Sequence, residues 1–371
     1  MVIFMRGLYI HIPFCKHICS YCDFCKFFYR SDWVEEYLIA LEKELESYHI
    51  KDKVRTIYIG GGTPSVLSVQ QLKKLFEMIA TIPREDDYEY TIECNVETMS
   101  MEKLELMKQC GINRISYGVE TTHERHLKNL ERSHTFDMVK EWIDKTKEIG
   151  IQNISVDLIY ALPTETLEEV KEDVDRILSL DVPHVSMYSL IIEEHTKFSA
   201  KNVQAISEDL DYEMYQYICN TLKQHGYEHY EVSNFARPHF SSRHNLVYWN
   251  NEEYYGIGLG ASGYIGNVRY TNTRSLNQYF NGVYRKEEEV LSLQETMENE
   301  MMLGLRKMEG VSQHRFFEKY QRKMEDVFPI ETLLKQRKLE KKEDYISIPK
   351  DKIYVSNEIL LELFDDTIKD E

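Results

Sequence analysis

Four of the seven cysteines lie close together near the start of the chain: Cys15, Cys19, Cys22 and Cys25. In a reducing compartment, clustered thiols usually bind a metal or take part in catalysis, whereas scattered thiols are usually small buried hydrophobic groups. The spacing Cys15-x3-Cys19-x2-Cys22 places three thiols on one loop. Structural zinc sites use paired C-x2-C halves, and the sequence offers no second pair. The spacing therefore favours iron–sulfur chemistry.

Three close thiolates are typical of a [4Fe–4S] cluster that keeps one iron without a protein ligand. That iron can chelate the amino and carboxylate groups of S-adenosylmethionine, and an electron from the cluster then cleaves the sulfonium to give a 5′-deoxyadenosyl radical. Cys25 as a fourth ligand would close the open iron. A free thiol beside the cluster is therefore the favoured interpretation of Cys25.

The cysteine motif resembles that of a known family. The stretch Tyr9-Ile-His-Ile-Pro-Phe-Cys15-Lys-His-Ile-Cys19-Ser-Tyr-Cys22-Asp-Phe is similar to the signature of the HemN/HemW branch of the radical SAM superfamily. The resemblance extends from residue 8 to about residue 364. It implies an α/β fold, a partial (β/α)6 TIM-like barrel followed by a small α+β, winged-helix-like C-terminal domain. It also implies that the first three cysteines hold the [4Fe–4S] cluster.

The same resemblance implies a binding site for S-adenosylmethionine. The stretch Gly60-Gly61-Gly62-Thr63-Pro64 resembles the GGTP motif that binds the methionine end of the cofactor, and glycine lets the backbone approach a ligand closely. Glu93 ends a predicted strand, where its carboxylate can accept both ribose hydroxyls. The residues assigned to S-adenosylmethionine are Tyr9, Tyr21, Gly61, Gly62, Thr63, Glu93, Glu120, Arg132 and Asp157.

Glu120 departs from the pattern of the branch. Relatives usually carry Gln at this position of the segment Ser116-Tyr-Gly-Val-Glu120. A carboxylate loses the hydrogen-bond donors of the amide and adds negative charge. In the coproporphyrinogen III dehydrogenase of this branch, the residues that match Tyr9, Tyr21, Arg132 and Asp157 surround a second S-adenosylmethionine. Glu120 therefore weakens the expectation of a second cofactor molecule.

Two functions share this scaffold: decarboxylation of coproporphyrinogen III, and binding of heme for transfer to hemoproteins. Only seven residues precede Leu8, where the dehydrogenase has an extended arm, and Phe24 stands where it has a fourth cysteine. The segment His244-Asn-Leu-Val-Tyr248-Trp249 matches the HNxxYW motif of the chaperones. Because histidine is an axial ligand of heme iron, His244 is the predicted heme ligand.

We therefore predict a radical SAM heme chaperone with a [4Fe–4S] cluster, S-adenosylmethionine and heme as cofactors. Its partners would be heme and the hemoproteins that accept it, and coproporphyrinogen turnover is not expected. The alternatives are a coproporphyrinogen III dehydrogenase, another radical SAM enzyme such as a methyltransferase, and a zinc-loop interaction protein. The resemblance also implies homodimers that form through the cysteine region, and it leaves peripheral membrane contact open.

Six β-rich runs that alternate with helical stretches must position these residues. The predicted strands are Leu8–Pro13, Thr56–Gly60, Tyr90–Asn95, Arg114–Val119, Asn153–Ile159 and His184–Leu190. The predicted helices between them are Trp33–Ser47, Gln70–Ala80, Met101–Gln109, Phe136–Ile149 and Leu167–Leu180. This alternation implies parallel strands with right-handed crossovers, in either a doubly wound sheet or a partial barrel. In both folds ligands bind at the carboxyl ends of the strands, where Cys15, Gly61 and Glu93 stand.

The regular alternation of strand and helix ends after residue 206. The sequence then predicts a helix over Glu208–His225 and a glycine-dense segment, Gly256–Gly266. The predicted parts are a radical SAM core (1–206), a barrel extension and connecting segment with the HNxxYW motif (207–290), and a HemN-type C-terminal domain (291–371). In the last part, short helices flank a predicted hairpin of Tyr345–Ile348 and Lys352–Val355.

Charge and composition argue against several classes of protein. The 63 Asp+Glu against 45 Lys+Arg give a net charge of −18, whereas non-specific nucleic-acid binding needs a basic surface. The sequence has no uninterrupted apolar run of roughly 18 residues, which a membrane span needs, and no signal-peptide cleavage site. We therefore expect a cytoplasmic protein without a transmembrane segment, in a compartment that keeps thiols reduced.

Overall fold

Strands and helices alternate along the first half of the chain in the computed structural model, which describes residues 6–364. The strands are β1 (Arg6–Ile12), β2 (Phe14–Cys15), β3 (Phe27–Phe28), β4 (Val54–Gly61), β5 (Arg84–Cys94), β6 (Arg114–Glu120), β7 (Asn153–Tyr160), β8 (His184–Ser189), β9 (Glu228–Glu231), β10 (Asn234–Ala236), β11 (Tyr254–Ile257), β12 (Ser262–Ile265), β13 (Val268–Asn272), β14 (Arg285–Val290), β15 (Val311–Ser312), β16 (Glu340–Lys342) and β17 (Tyr345–Ser347).

The α-helices are α1 (Ser31–Ser47), α2 (Val69–Ala80), α3 (Met101–Gln109), α4 (Glu124–Asn129), α5 (Phe136–Glu148), α6 (Leu167–Ser179), α7 (Lys197–Ala200), α8 (Glu208–Gln224), α9 (Arg243–Trp249), α10 (Leu276–Phe280), α11 (Leu293–Gly304), α12 (Gln313–Tyr320), α13 (Ile330–Lys335) and α14 (Ser356–Leu363). Short 3₁₀ helices cover Pro64–Val66, Val96–Thr98, Met324–Asp326 and Lys350–Val355. Among residues 6–364, no helix has both the length and the apolar character that a membrane crossing requires.

Helix starts are set by local hydrogen bonds. In α2, Ser68 and Gln71 form a reciprocal capping box, and Thr166 and Glu169 do the same at the start of α6. Both helices are amphipathic, and their apolar side chains are buried against the sheet. The local sequence therefore determines both where these crossover helices begin and which face they bury.

The main sheet has the strand order β14-β13-β12-β11-β1-β4-β5-β6-β7-β8-β10-β9 within the described part of the chain. The six strands β1 and β4 to β8 are parallel and adjacent in chain order. A doubly wound sheet would reverse its strand order at one point. The unbroken order is that of a partial (β/α)6 barrel, so the predicted fold class and all six predicted core strands are confirmed.

The part of the chain after α8 extends this sheet at both edges. Strand β10 pairs antiparallel with β8, while β11 pairs parallel with β1 and starts an antiparallel meander through β12, β13 and β14. A buried carboxylate, Glu44 of α1, helps to hold the meander. It accepts hydrogen bonds from the Gly258 N–H (2.8 Å), the Asn272 Nδ2 (2.6 Å) and the Tyr279 hydroxyl (2.5 Å).

The C-terminal part contains a small sheet in the order β15-β17-β16, surrounded by short helices. The predicted hairpin of Tyr345–Ile348 with Lys352–Val355 is wrong. Glu340–Lys342 pairs with Tyr345–Ser347 instead, around a turn in which Glu343 has a φ of 51°. Pro349 has no N–H to donate to a strand ladder, and the residues after it form a 3₁₀ helix.

Candidate cofactor site at the carboxyl end of the barrel

The cysteine loop follows the carboxyl end of β1 and is closed by its own small sheet. β2 and β3 pair in parallel, with Phe14 opposite Phe27 and Cys15 opposite Phe28. The Tyr29 N–H donates to the Cys15 carbonyl oxygen at 2.8 Å. The loop between these strands is therefore held at its base, while its tip lies over the end of the barrel.

The structure brings almost all of the predicted site residues to one cavity of about 410 Å³. Its lining includes Cys15, Cys19, Cys22, Tyr21, Gly61, Gly62, Thr63, Glu93, Glu120, Arg132 and Asp157. Tyr9 is not in the lining. Its hydroxyl lies 2.9 Å from His11 Nδ1, and His11 Nε2 donates to the Cys25 carbonyl oxygen at 2.8 Å, so Tyr9 supports the cysteine loop from below.

The three thiols lack the lowered pKa of a reactive nucleophile. Burial raises the pKa of Cys15 to about 11 and that of Cys19 to about 12, and it raises the pKa of Cys22 as well. Reactive thiols have a lowered pKa instead, and a bound metal ion is what deprotonates a thiol of this kind. Among the described residues, no three His, Cys, Asp or Glu side chains are grouped around a single metal ion. Each thiolate of a [4Fe–4S] cluster binds a different iron, so the three thiols on one cavity fit a cluster.

The glycine motif packs directly under the cysteine loop. Gly62 N–H donates to the Ile12 carbonyl oxygen at 2.9 Å, and Thr63 N–H donates to that of Phe14 at 2.8 Å. Gly61 has a φ of +114° and its N–H donates to Glu93 Oε2 at 3.0 Å. These three N–H groups are used inside the protein. A ligand here must therefore be bound through carbonyl oxygens and side chains.

Two partly buried carboxyl groups lie inside the barrel. Glu93 Oε1 accepts from the Tyr58 hydroxyl at 2.8 Å, and burial raises the pKa of Glu93 to about 7. Asp157 accepts from the Ser116 hydroxyl at 2.8 Å and from the Ser155 hydroxyl at 3.2 Å, and burial raises its pKa too. Both carboxyl groups are oriented by hydroxyl donors of the protein.

Glu120 and Arg132 form a buried ion pair. Arg132 Nη1 donates to Glu120 Oε1 at 2.5 Å, and Arg132 also binds Glu97 through Nε (2.9 Å) and Nη2 (3.2 Å). Burial by itself would lower the pKa of Arg132, but the two carboxylates raise it above its usual value. The Glu120 carboxylate is thus committed to Arg132.

We expect Glu120→Gln to lower the free energy of unfolding by about 1–3 kcal/mol, because it removes a charged hydrogen-bond partner from a buried guanidinium. The loss stays moderate because Glu97 still pairs with Arg132. Urea unfolding of the variant and wild type gives the difference. Glu131→Gln is the control, since Glu131 pairs with Lys197 on the surface and its loss should change stability by less than about 1 kcal/mol. Equal effects of the two variants would contradict the prediction.

His244 lies under the barrel, at the amino ends of β1 and β4, and outside the cavity lining. Its Nδ1 is 2.8 Å from the Thr56 hydroxyl, its Nε2 is 2.7 Å from the Tyr248 hydroxyl, and its ring stacks on Tyr58. Burial lowers its pKa to about 3. In this conformation the neutral ring has a hydrogen-bond partner at each nitrogen, and only its neighbour Asn245 reaches the cavity.

The cavity also contains residues to which the sequence analysis assigned no role, above all Tyr58, Arg114 and Asn245. The sequence did contain a signal for Arg114. Alternate residues of a strand face the same side, so Arg114, Ser116 and Gly118 share a face. Because Ser116 and Gly118 line the cavity at the carboxyl end of β6, Arg114 had to face the barrel interior as well.

Comparison with known proteins agrees with this geometry. A family model described as the radical SAM superfamily matches residues 9–177. The chain is 45% identical over 331 residues to the heme chaperone HemW of Lactococcus lactis, and the match covers 87% of each protein. It is 43% identical over 340 residues to the heme chaperone HemW of Bacillus subtilis, covering 88% of this chain and 89% of the relative. The chain belongs to the HemW family of radical SAM proteins.

A solved structure supports the fold assignment. The radical SAM enzyme coproporphyrinogen III oxidase (HemN) of Escherichia coli aligns with a TM-score of 0.85 over 98% of this chain and 91% of that chain. Its sequence is only 21% identical, so the likeness concerns the fold. The predicted membership of the HemN/HemW branch is confirmed, and the HemW family is the nearer group by sequence identity.

Proposed function

We propose that Cys15, Cys19 and Cys22 hold a [4Fe–4S] cluster and that the cavity beside them binds S-adenosylmethionine. When bound, the two groups supply reductive cleavage of a carbon–sulfur bond. The chain's own contribution is positional. β2 and β3 fix the cysteine loop, and the barrel side chains Glu93 and Asp157 present oriented carboxyl groups to the cofactor. Support comes from the convergence of these residues on one cavity.

We further propose that the protein binds heme and transfers it to hemoproteins. The observation that carries this proposal is the similarity to proteins named heme chaperone HemW, at up to 45% identity over 87% of the chain. The fold alone does not separate a chaperone from a coproporphyrinogen III dehydrogenase, because the HemN fold matches 98% of the chain. A binding measurement must separate them.

His244 stays the predicted axial ligand of heme. Neutral imidazole is the form that binds iron, and burial keeps this ring neutral. Ligation at Nε2 would break the bond to the Tyr248 hydroxyl, and ligation at Nδ1 would break the bond to Thr56. Heme binding through His244 therefore requires one of these two hydrogen bonds to break.

We expect His244→Ala to weaken heme binding about tenfold or more, because an axial ligand of the iron is lost. The measurement is an anaerobic heme titration of the cluster-reconstituted protein, followed by absorbance. His184→Ala is the matched control. His184 is also fully buried, with Nδ1 2.8 Å from the Ser155 hydroxyl and Nε2 2.8 Å from the Tyr230 hydroxyl.

Both alanine variants remove a buried imidazole that is hydrogen-bonded to two hydroxyls, so both should lose stability, and only His244→Ala should lose heme. Equal heme loss in the two variants would show that His244 acts through the structure of the barrel. Absence of saturable heme binding by the wild type would refute the chaperone proposal. Turnover of coproporphyrinogen III with S-adenosylmethionine and a reductant would then be the decisive assay.

A further inference from the structure

Arg114 is a buried guanidinium in the interior of the barrel. It opens β6, is only 2% exposed, and lines the cavity together with Ser116 and Asp157. The amino end of β6 lies at the opposite end of the strands from the cysteine loop, which follows the carboxyl end of β1. Arg114 therefore lies at the floor of the cavity, at the end opposite the cysteine loop.

This guanidinium has no ion-pair partner among residues 6–364, and its Nε is buried without a hydrogen bond. Arg132, the other arginine of the lining, differs completely because it is paired with Glu97 and Glu120. The nearby carboxyl group of Asp157 is bound by Ser116 and Ser155 instead.

Glu93 is also occupied, since it accepts from the Tyr58 hydroxyl and the Gly61 N–H. The acidic groups of the cavity are thus hydrogen-bonded by donors other than Arg114, whose charge acts on Asp157 only through space and partly offsets the rise that burial gives to the pKa of Asp157. A buried charge that lacks a partner is costly, and most buried arginines are paired for this reason. An unpaired guanidinium that reaches a cavity is an open site for an anion, because its planar fork fits a carboxylate in two parallel hydrogen bonds.

We propose that Arg114 binds a carboxylate of propionate type on a ligand that enters the barrel. Two sources have this chemistry: a propionate side chain of a tetrapyrrole, or a small free carboxylic acid. The first source rests on the proposed heme function, whereas the second does not. The site lies at the floor, so it recognises a group that passes beyond the cysteine loop into the barrel.

The first arm of the test compares heme with heme dimethyl ester, in which both propionates are neutral. Anaerobic titrations use the full-length, cluster-reconstituted wild type, Arg114→Met and Arg114→Lys. If a propionate binds Arg114, Arg114→Met loses about tenfold or more of its heme affinity, and the ester binds all three proteins equally weakly. Arg114→Lys keeps the positive charge but loses the planar guanidinium that forms two parallel hydrogen bonds. Its heme affinity should therefore lie between that of the wild type and that of Arg114→Met.

The second arm measures thermal unfolding in 100 mM sodium propionate and in sodium chloride of equal ionic strength. A small-carboxylate site predicts an upward shift of about 2 °C for the wild type in propionate and none for Arg114→Met.

The arms separate the outcomes. Failure of the wild type to bind heme refutes the chaperone function, and the propionate arm then decides the carboxylate site alone. Heme affinity that depends on neither Arg114 nor the propionates, with no propionate shift, overturns the proposal. If Arg114→Met does not fold, the comparison of heme with its ester on the wild type and Arg114→Lys gives the same decision.

Discussion

The cluster-reconstituted Cys19→Ser variant should lose nearly all of its iron and sulfide, while the wild type holds about four of each per chain, as a [4Fe–4S] cluster requires. Cys19 shares its cavity with Cys15 and Cys22, and no fourth cysteine of the loop reaches that lining. With two thiolates left, the cluster has too few ligands to stay bound. Anaerobic reconstitution followed by iron and sulfide analysis measures the effect.

Two other cysteines provide the controls. Cys94→Ser removes a thiol that lines the same cavity from β5, and Cys25→Ser removes the extra thiol of the loop, which is buried and outside the lining. Both variants should keep their full iron content. Loss of iron in Cys25→Ser would show that Cys25 is a cluster ligand, and retention of iron in Cys19→Ser would refute the proposed ligand set.

The core of the fold could be predicted because its strands are buried on both faces. Parallel strands of this kind appear in the sequence as short apolar runs, and capping residues indicate the ends of the helices between them. The strand order could not be predicted, since doubly wound sheets and barrels share the same local pattern. The meander was missed for a different reason. β14 is almost entirely charged and exposed, and it is a strand only because it pairs with β13.

The site was predictable where a motif carried it. The cysteines, the glycines and Glu93 follow strand ends at fixed spacings, and the structure brings them together. The surroundings of His244 were not predictable, because its partner Thr56 is 188 residues away in the chain. Arg114 was missed because an arginine at the start of a strand looks like an exposed residue of the rim. Its side chain faces the barrel interior because it shares one face of β6 with Ser116 and Gly118.

Replacing Gly62 by alanine should disturb the cysteine loop directly. A Cβ at this position would lie 2.9 Å from the Cys15 Sγ and 2.9 Å from the carbonyl oxygens of Ile12 and Phe14. Two of these neighbours are backbone atoms, which cannot turn away. We expect Gly62→Ala to cost about 1–3 kcal/mol of stability through overpacking and to reduce the iron content after reconstitution.

Gly226→Ala separates this steric effect from ordinary glycine strain. Gly226 has a φ of +83° with nothing within 4 Å of an added Cβ, so alanine there should cost about 1 kcal/mol through its backbone conformation alone. Its iron content should equal that of the wild type. If Gly62→Ala keeps its cluster and loses only stability, the glycine motif serves the packing of the barrel and does not position the cysteine loop. If iron is lost from Gly62→Ala alone, the close contact between the two motifs is what places Cys15 at the cavity.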